Sequence, residues 1–433
     1  MKITKQTFVT SFALFSLFFG AGNLIFPSFL GYNAGDGWFM VAVGFVISAV
    51  VIPILAIYGH ARLQGTMMDF GKKVSPVFAF VYSLIVYVIS VSFPSPRTAS
   101  VTYEMAVQPY IDIPSWGWIG NYFPLILSAI YFMLVLLFVL NRSKIIDIIG
   151  KFLTPGILII LGSIICIGLF GDYDSMRAST YASNLTSGIL EGYQTFDAIG
   201  GVLVGGVLVV SLSLKGISKE ESKSVIAKAG LFAGIGFVIM YVGLIALGAA
   251  NSGTLEAANR TDLLSQLSYN TLGGIGRTAL GVLVALACFT TAVGIVTGTA
   301  DFFKGLFKDS QRAYVITAII SCILGVGMGQ LDVHSIIVVA LPALMFIYPI
   351  TIVLILLNVL PDRYASPMVF KAVVFITVVF SLPDFLSSIG LSKLVQPIQE
   401  SVPLGTVTLG WLLPAIIIFI VVNLISFKKS PHS

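Results

Sequence analysis

Two stretches of this chain place glycine, amide or acid, and aromatic residues side by side inside otherwise apolar runs. They are Gly20-Ala21-Gly22-Asn23-Leu24-Ile25-Phe26-Pro27 and Tyr193-Gln194-Thr195-Phe196-Asp197-Ala198-Ile199-Gly200-Gly201. In a bilayer, backbone that leaves its helix must find other partners, so such breaks persist only where protein, water, ion or ligand satisfies the freed groups. At the first break Gly20 and Gly22 have no side chain, which lets a ligand approach the main chain. Amides opening the following half-helix carry the positive end of its dipole, a setting suited to a carboxylate. Close packing of neighbouring helices is the commoner use of Gly-Ala-Gly, but Asn23 and Pro27 favour true unwinding. Asn23 has two roles of equal standing, an amide-oxygen ligand for a hard cation or a cap for the second half-helix.

At the second break Asp197 lies six residues beyond Glu191, or about 9 Å of helix rise into the span. An intramembrane acid is costly and by default functional. Asp197 can line a cavity, hold a cation or exchange a proton, or it can simply cap the break. Phe196 is placed to wall an apolar pocket, although an aromatic in such a span more often just packs. A third stretch, Ala287-Cys288-Phe289-Thr290-Thr291-Ala292-Val293-Gly294, sets two hydroxyls in an apolar helix. Membrane threonines usually bond back to their own helix. Beside an unwound first helix, however, the signal strengthens, because carbonyls near Ser16 and Phe19 could complete an oxygen cage for one Na+.

The elements that must position these residues are membrane helices. Of the 433 residues 57% are hydrophobic and 10% charged, against about 25% charged in soluble domains. Apolar stretches of spanning length, roughly 20 residues, fall near 7–31, 37–58, 76–100, 122–140, 145–170, 188–212, 225–249, 272–303, 313–329, 334–358, 367–386 and 406–427. The first lacks an Ala-x-Ala-like cleavage site and is expected to be a retained helix, not a leader. Twelve spans put both termini on one side. Placing them in the cytoplasm puts 19 of the 24 basic residues inside, leaving Arg97, Arg177, Arg260, Arg277 and Lys393 outside or within spans. That asymmetry is the positive-inside pattern. The formal charge of +5 therefore orients the chain toward anionic lipid and requires no nucleic acid.

Cys166, Cys288 and Cys322 sit in apolar spans without Cys-x-x-Cys spacing, which predicts packing roles and no disulfide framework. His60, placed in an inner loop, His334 and His432 show no metal-ligand spacing, and no phosphate-binding Gly-x-x-x-x-Gly-Lys loop is present. Enzymatic chemistry and nucleotide-driven transport thus have no support, and no cofactor is expected beyond a coupling ion. The longest loops, near 250–271 and 387–405, are too short for a soluble domain, so residues 1–433 form one membrane domain. The two breaks fall in spans one and six. Five spans per half is an odd number, so halves near 7–170 and 188–358 would be inverted repeats, with appended helices over 367–427. Matching breaks in the two halves point to a secondary transporter with a midplane site.

At these residues the chain resembles the bacterial branched-chain amino acid:cation symporters, the BrnQ-type carriers, within the superfamily that shares the LeuT-like fold. The resemblance covers nearly the whole chain. It rests on Phe19 to Pro27, on Pro96-Arg97-Thr98-Ala99 with Tyr103-Glu104, on Gly192-Tyr193-Gln194-Thr195 with Asp197-Ala198, and on Leu286 to Cys288 with Thr290 to Gly294. Three departures stand out. Val91-Ser92-Phe93-Pro94-Ser95 replaces a more usual aromatic Pro-Phe-Phe-Ala-Ile run, Ser28 follows Pro27 where a second proline is common, and Phe196 replaces a typical methionine. The resemblance implies an all-α integral membrane protein of about twelve helices, in a 5+5 inverted repeat with helices one and six broken. It implies import of leucine, isoleucine and valine with Na+, or with protons in some members, in the bacterial inner membrane and without an obligatory protein partner. The superfamily's site carries Na+ onto Ser16, Phe19, Ala287, Thr290 and Thr291, while the two breaks themselves lead us to expect substrate at Gly20, Ala21, Gly22, Asn23, Tyr193, Gln194, Thr195, Phe196 and Asp197. A symporter of another small apolar solute and a gated channel are the alternatives.

Overall fold

The computed structural model describes residues 5–111, 118–141, 145–171, 173–214 and 216–428. Lys2, Arg142, Lys144, Lys215, Lys429 and His432 lie outside them, as do the side chains of Ser16 and Ala21. Among the described residues the regular structure is helical. The α-helices are α1 (Lys5–Phe18), α2 (Ala21–Ala34), α3 (Trp38–Val46), α4 (Ile52–Leu63), α5 (Met67–Gly71), α6 (Pro76–Ser92), α7 (Pro94–Thr102), α8 (Trp118–Asn141) and α9 (Ile145–Gly168). They continue with α10 (Asn184–Tyr193), α11 (Asp197–Leu214), α12 (Lys219–Ala250), α13 (Arg260–Leu306), α14 (Gln311–Gly329), α15 (Val333–Val359), α16 (Pro367–Leu386), α17 (Ser392–Ser401) and α18 (Leu412–Lys428).

Eight helices among the described residues are long and apolar enough to cross a membrane, and Pro155–Gly168, Asp197–Gly206 and Leu412–Ser426 are shorter apolar helices. Several spans depart from single uninterrupted helices for a physical reason. Breaks divide the first and sixth spans, and α2 runs on through a 3₁₀ turn at Gly35–Gly37 into α3 and α4. The third span is also divided, at Phe93 (φ −123°, ψ −65°), where Pro94 and Pro96 remove amide donors. Both long loops expected from the sequence are largely helix. Arg260 opens α13, whose kink lies at Gly273 (φ 69°), and α17 occupies 392–401. The last span begins at Leu412, because Leu404 and Thr408 adopt left-handed backbone before it.

Close backbone approach holds the bundle together. A Cβ at Gly31 would strike the Ile245 carbonyl, and one at Gly248 the Ser28 carbonyl, so α2 and α12 meet main chain to main chain. Gly44 and Gly188 do the same for α3 and α10. Small residues at such crossings are what lipid-embedded helices use in place of a hydrophobic driving force. His60 is not in a loop. It is buried in the last turn of α4, with Nε2 2.7 Å from the Val202 carbonyl of α11 and Nδ1 3.2 Å from Gly65 O. Cys288 and Cys322 are buried, Cys166 is exposed, and all three are free thiols.

Candidate functional site

Both expected breaks are present. Helix α1 stops at Phe18, and α2 starts at Ala21 with extended backbone at Gly20 (φ −102°, ψ −173°). Helix α10 stops at Tyr193 and α11 starts at Asp197; between them Phe196 sits at φ 63°. Left-handed backbone is an outlier for a bulky side chain and marks a segment held in place by its surroundings. Thr195 stabilises the turn, its hydroxyl donating to Gly192 O (2.8 Å) and accepting from the Asp197 amide (3.3 Å).

The two breaks meet through Asn23. Its Nδ2 donates to Asp197 Oδ2 at 2.7 Å and to the Tyr241 hydroxyl of α12 at 2.5 Å, and all three side chains are buried. Asn23 therefore spends both amide protons on joining the halves, and does not act as a side-chain cap. Behind it, Phe15, Phe19, Phe237 and Tyr241 form a run of stacked rings against the first break. On the far side Tyr193 stacks on Tyr348 with centroids 4.3 Å apart, and the Tyr348 hydroxyl accepts from the Ala198 amide at 3.4 Å.

The proposed ion ligands are only partly brought together. The Thr291 hydroxyl lies 3.5 Å from where a Cβ would stand on Gly20, so α13 does reach the first break. Thr290 instead donates to its own helix, at Ala287 O (3.0 Å). Phe19 contributes a stacked ring at the break, and the backbone of Ser16 lies in the last full turn of α1.

One residue at this junction was missed. Arg97, on α7, is 4% exposed, and its Nη1 donates to the Gln194 carbonyl at 2.8 Å. Its guanidinium carbon is 5.0 Å from the Phe26 ring centroid and 5.3 Å from that of Phe196, so Phe196 faces a cation and is not a purely apolar wall. A Cβ on Gly22 would stand 2.8 Å from Nη2. The signal was available in the sequence, since an ionisable residue in an apolar span is by default functional. Arg260 also lies over aromatic rings, 5.3 Å from the Phe26 centroid and 5.0 Å from that of Phe29. It donates through Nε (3.0 Å) and Nη2 (2.8 Å) to Glu191. The Glu104 of the quoted motif is a tether, accepting from the Thr261 hydroxyl and from the Val333 amide (2.9 Å).

Known proteins place this arrangement. Residues 3–429 match a family model described as branched-chain amino acid transport protein. The chain is 32% identical over 410 residues to the branched-chain amino acid transport system 2 carrier protein of Pseudomonas aeruginosa, covering 93% of this chain and 92% of the relative. It is 33% identical over 418 residues to the branched-chain amino acid permease BrnQ of Bacillus subtilis, with coverage of 93% and 92%. Among solved structures it is similar to Mhp1, a nucleobase-cation-symport-1 family transporter in a closed conformation with bromovinylhydantoin bound, with TM-score 0.59 and 12% identity over 99% of this chain and 94% of that one. It is also similar to MhsT in complex with L-phenylalanine, with TM-score 0.58 and 16% identity over 97% and 98%. At such identities the two structures carry the fold alone, which is the LeuT-like transporter fold.

Proposed function

We propose that this chain, which belongs to the branched-chain amino acid transport protein family, imports leucine, isoleucine and valine with Na+ by alternating access. Its place would be the bacterial cytoplasmic membrane, with both termini inside, as the basic residues favour. The observation that carries the reading is the Asn23–Asp197 bond of 2.7 Å, which joins two helix breaks at one buried point. Discontinuous helices that meet in this way are how such carriers hold substrate.

In this reading Na+ sits between the first break and Thr291, and the substrate carboxylate docks at the amides near Ala21 and Gly22. Because the Gln194 carbonyl is engaged by Arg97, Asp197 is the better partner for the substrate ammonium. Each ligand orders elements that the other needs, so each tightens the other's binding by the same factor. A proton-coupled variant draws support from Asp197 itself, which is buried and has no cation within ion-pair distance among the described residues.

The test is uptake of labelled leucine by liposomes holding the purified chain. Accumulation under an inward Na+ gradient is the expected result. Accumulation under a proton gradient alone would move coupling to Asp197. Equal leucine affinity in sodium and choline media would remove the coupling claim, and no uptake of any branched-chain amino acid would remove the cargo.

A further inference from the structure

Two guanidinium groups lie over the Phe26 ring, and among the described residues only one is in an ion pair. Arg260 is matched by Glu191 at 2.8 Å. Arg97, deeper and 4% exposed, has no acid within ion-pair distance among the described residues. Its Nη1 is used on the Gln194 carbonyl, and its Nε is buried with no hydrogen-bond partner. In a guanidinium Nε and Nη2 share one edge, the edge that pairs side-on with both oxygens of a carboxylate. Here that edge belongs to the nitrogens left over, and Nη2 lies directly against Gly22, where the absent side chain leaves main chain facing the fork. A buried cation held in no ion pair is costly in a membrane interior.

We propose that Arg97 receives the carboxylate of the transported amino acid, as a specificity-determining residue beside the first helix break. Asp197, held on the other side by Asn23 at 2.7 Å, then faces the ammonium. The site reads a zwitterion by its two ends and leaves the side chain to apolar surroundings. This rests on the amino acid cargo proposed above.

The experiment measures binding of leucine and of leucinol, which keeps the ammonium and side chain but has an alcohol for the carboxylate, to the full chain in detergent with Na+. Wild type should favour leucine by about tenfold to a hundredfold, the range of a charge-assisted pair. In Arg97→Gln the leucine-to-leucinol ratio should fall about tenfold or more, with leucinol affinity nearly unchanged. Arg97→Lys keeps a charge without the fork and should fall between; it carries the test alone if the glutamine variant does not fold. A ratio unchanged in these variants, even with both affinities lower, would make Arg97 structural and overturn this assignment alone. Wild-type chain that binds no leucine would overturn the cargo reading and this assignment with it.

Discussion

Replacing Asn23 by alanine tests whether the two halves are joined by chemistry or by packing alone. Asn23 Nδ2 donates to a carboxylate at 2.7 Å and to a hydroxyl at 2.5 Å in a buried setting. A hydrogen bond to a charged group contributes about 1.5–3 kcal/mol, and one between neutral groups about 0.5–1.5 kcal/mol. Asn23→Ala loses both and strands the Asp197 carboxylate, while a water entering the vacated polar space restores part. The net cost should be about 2–4 kcal/mol. Tyr241→Phe loses only the neutral bond and keeps its ring against Phe19, Phe45 and Phe237, so about 0.5–1.5 kcal/mol is expected. SDS-driven unfolding of the purified chain in mixed micelles, followed by fluorescence of its four tryptophans, measures both. Leucine at a hundred times its wild-type dissociation constant, with Na+ held fixed, should add about 2.7 kcal/mol to wild type, and at the same concentrations clearly less to Asn23→Ala. Equal losses in the two variants would refute the reasoning, because the bond between the breaks would then contribute nothing.

Thr291→Ala should raise the Na+ concentration for half-maximal uptake severalfold, whereas Thr290→Ala, whose hydroxyl is already spent on Ala287 O, should shift it less than twofold; a sodium titration of uptake in the two variants separates them. A double-mutant cycle on Glu191 and Arg260, 16% and 17% exposed, should show a coupling of about 1–3 kcal/mol. The same cycle on Lys73 and Asp362, 31% and 82% exposed, should give under about 0.5 kcal/mol. Lys73, by its hydrogen bond and then its charge, holds the Asp362 carboxyl below its ordinary value, so that small contribution is present at neutral pH and disappears as pH falls through the folded-state value. Gly248→Ala gains up to about 1 kcal/mol of helix propensity but drives a methyl into the Ser28 carbonyl of α2. Net loss of folded yield by size-exclusion chromatography is the expected result.

The helix breaks were legible because membranes leave little choice. Gly-Ala-Gly-Asn and Gln-Thr-Phe-Asp cannot interrupt a lipid-embedded helix without partners, and Asn23 and Asp197 turned out to be partners of one another. The pairing itself was not legible. Residues 174 positions apart meet only after α2 and α11 have been brought against α12 and α4, and that docking rests on backbone approaches at Gly31, Gly248 and Gly201 that no periodicity announces. The loops were misjudged for a related reason. Polar stretches such as 260–271 and 392–401 read as connections, yet both form helix, the first opened by Asn259 accepting from the Asp262 amide and the second without a side-chain cap.

Arg97 was hidden differently. Its residue type carried a signal, but a charge within or near a span is first counted toward orientation, and of the prolines beside it Pro94 was noted only as part of a departure from a family pattern and Pro96 only as part of a matching motif. Those prolines end α6 and start α7 at Phe93, and α7 carries the guanidinium to the Gln194 carbonyl. The third span is thus the third discontinuous element at the site. A straight third helix would present Arg97 in a different direction, so restoring helical continuity with Pro94→Ala should weaken leucine binding even though it improves helix propensity. Leucine affinity at wild-type level in that variant, with its fold intact, would mean the kink does not aim Arg97.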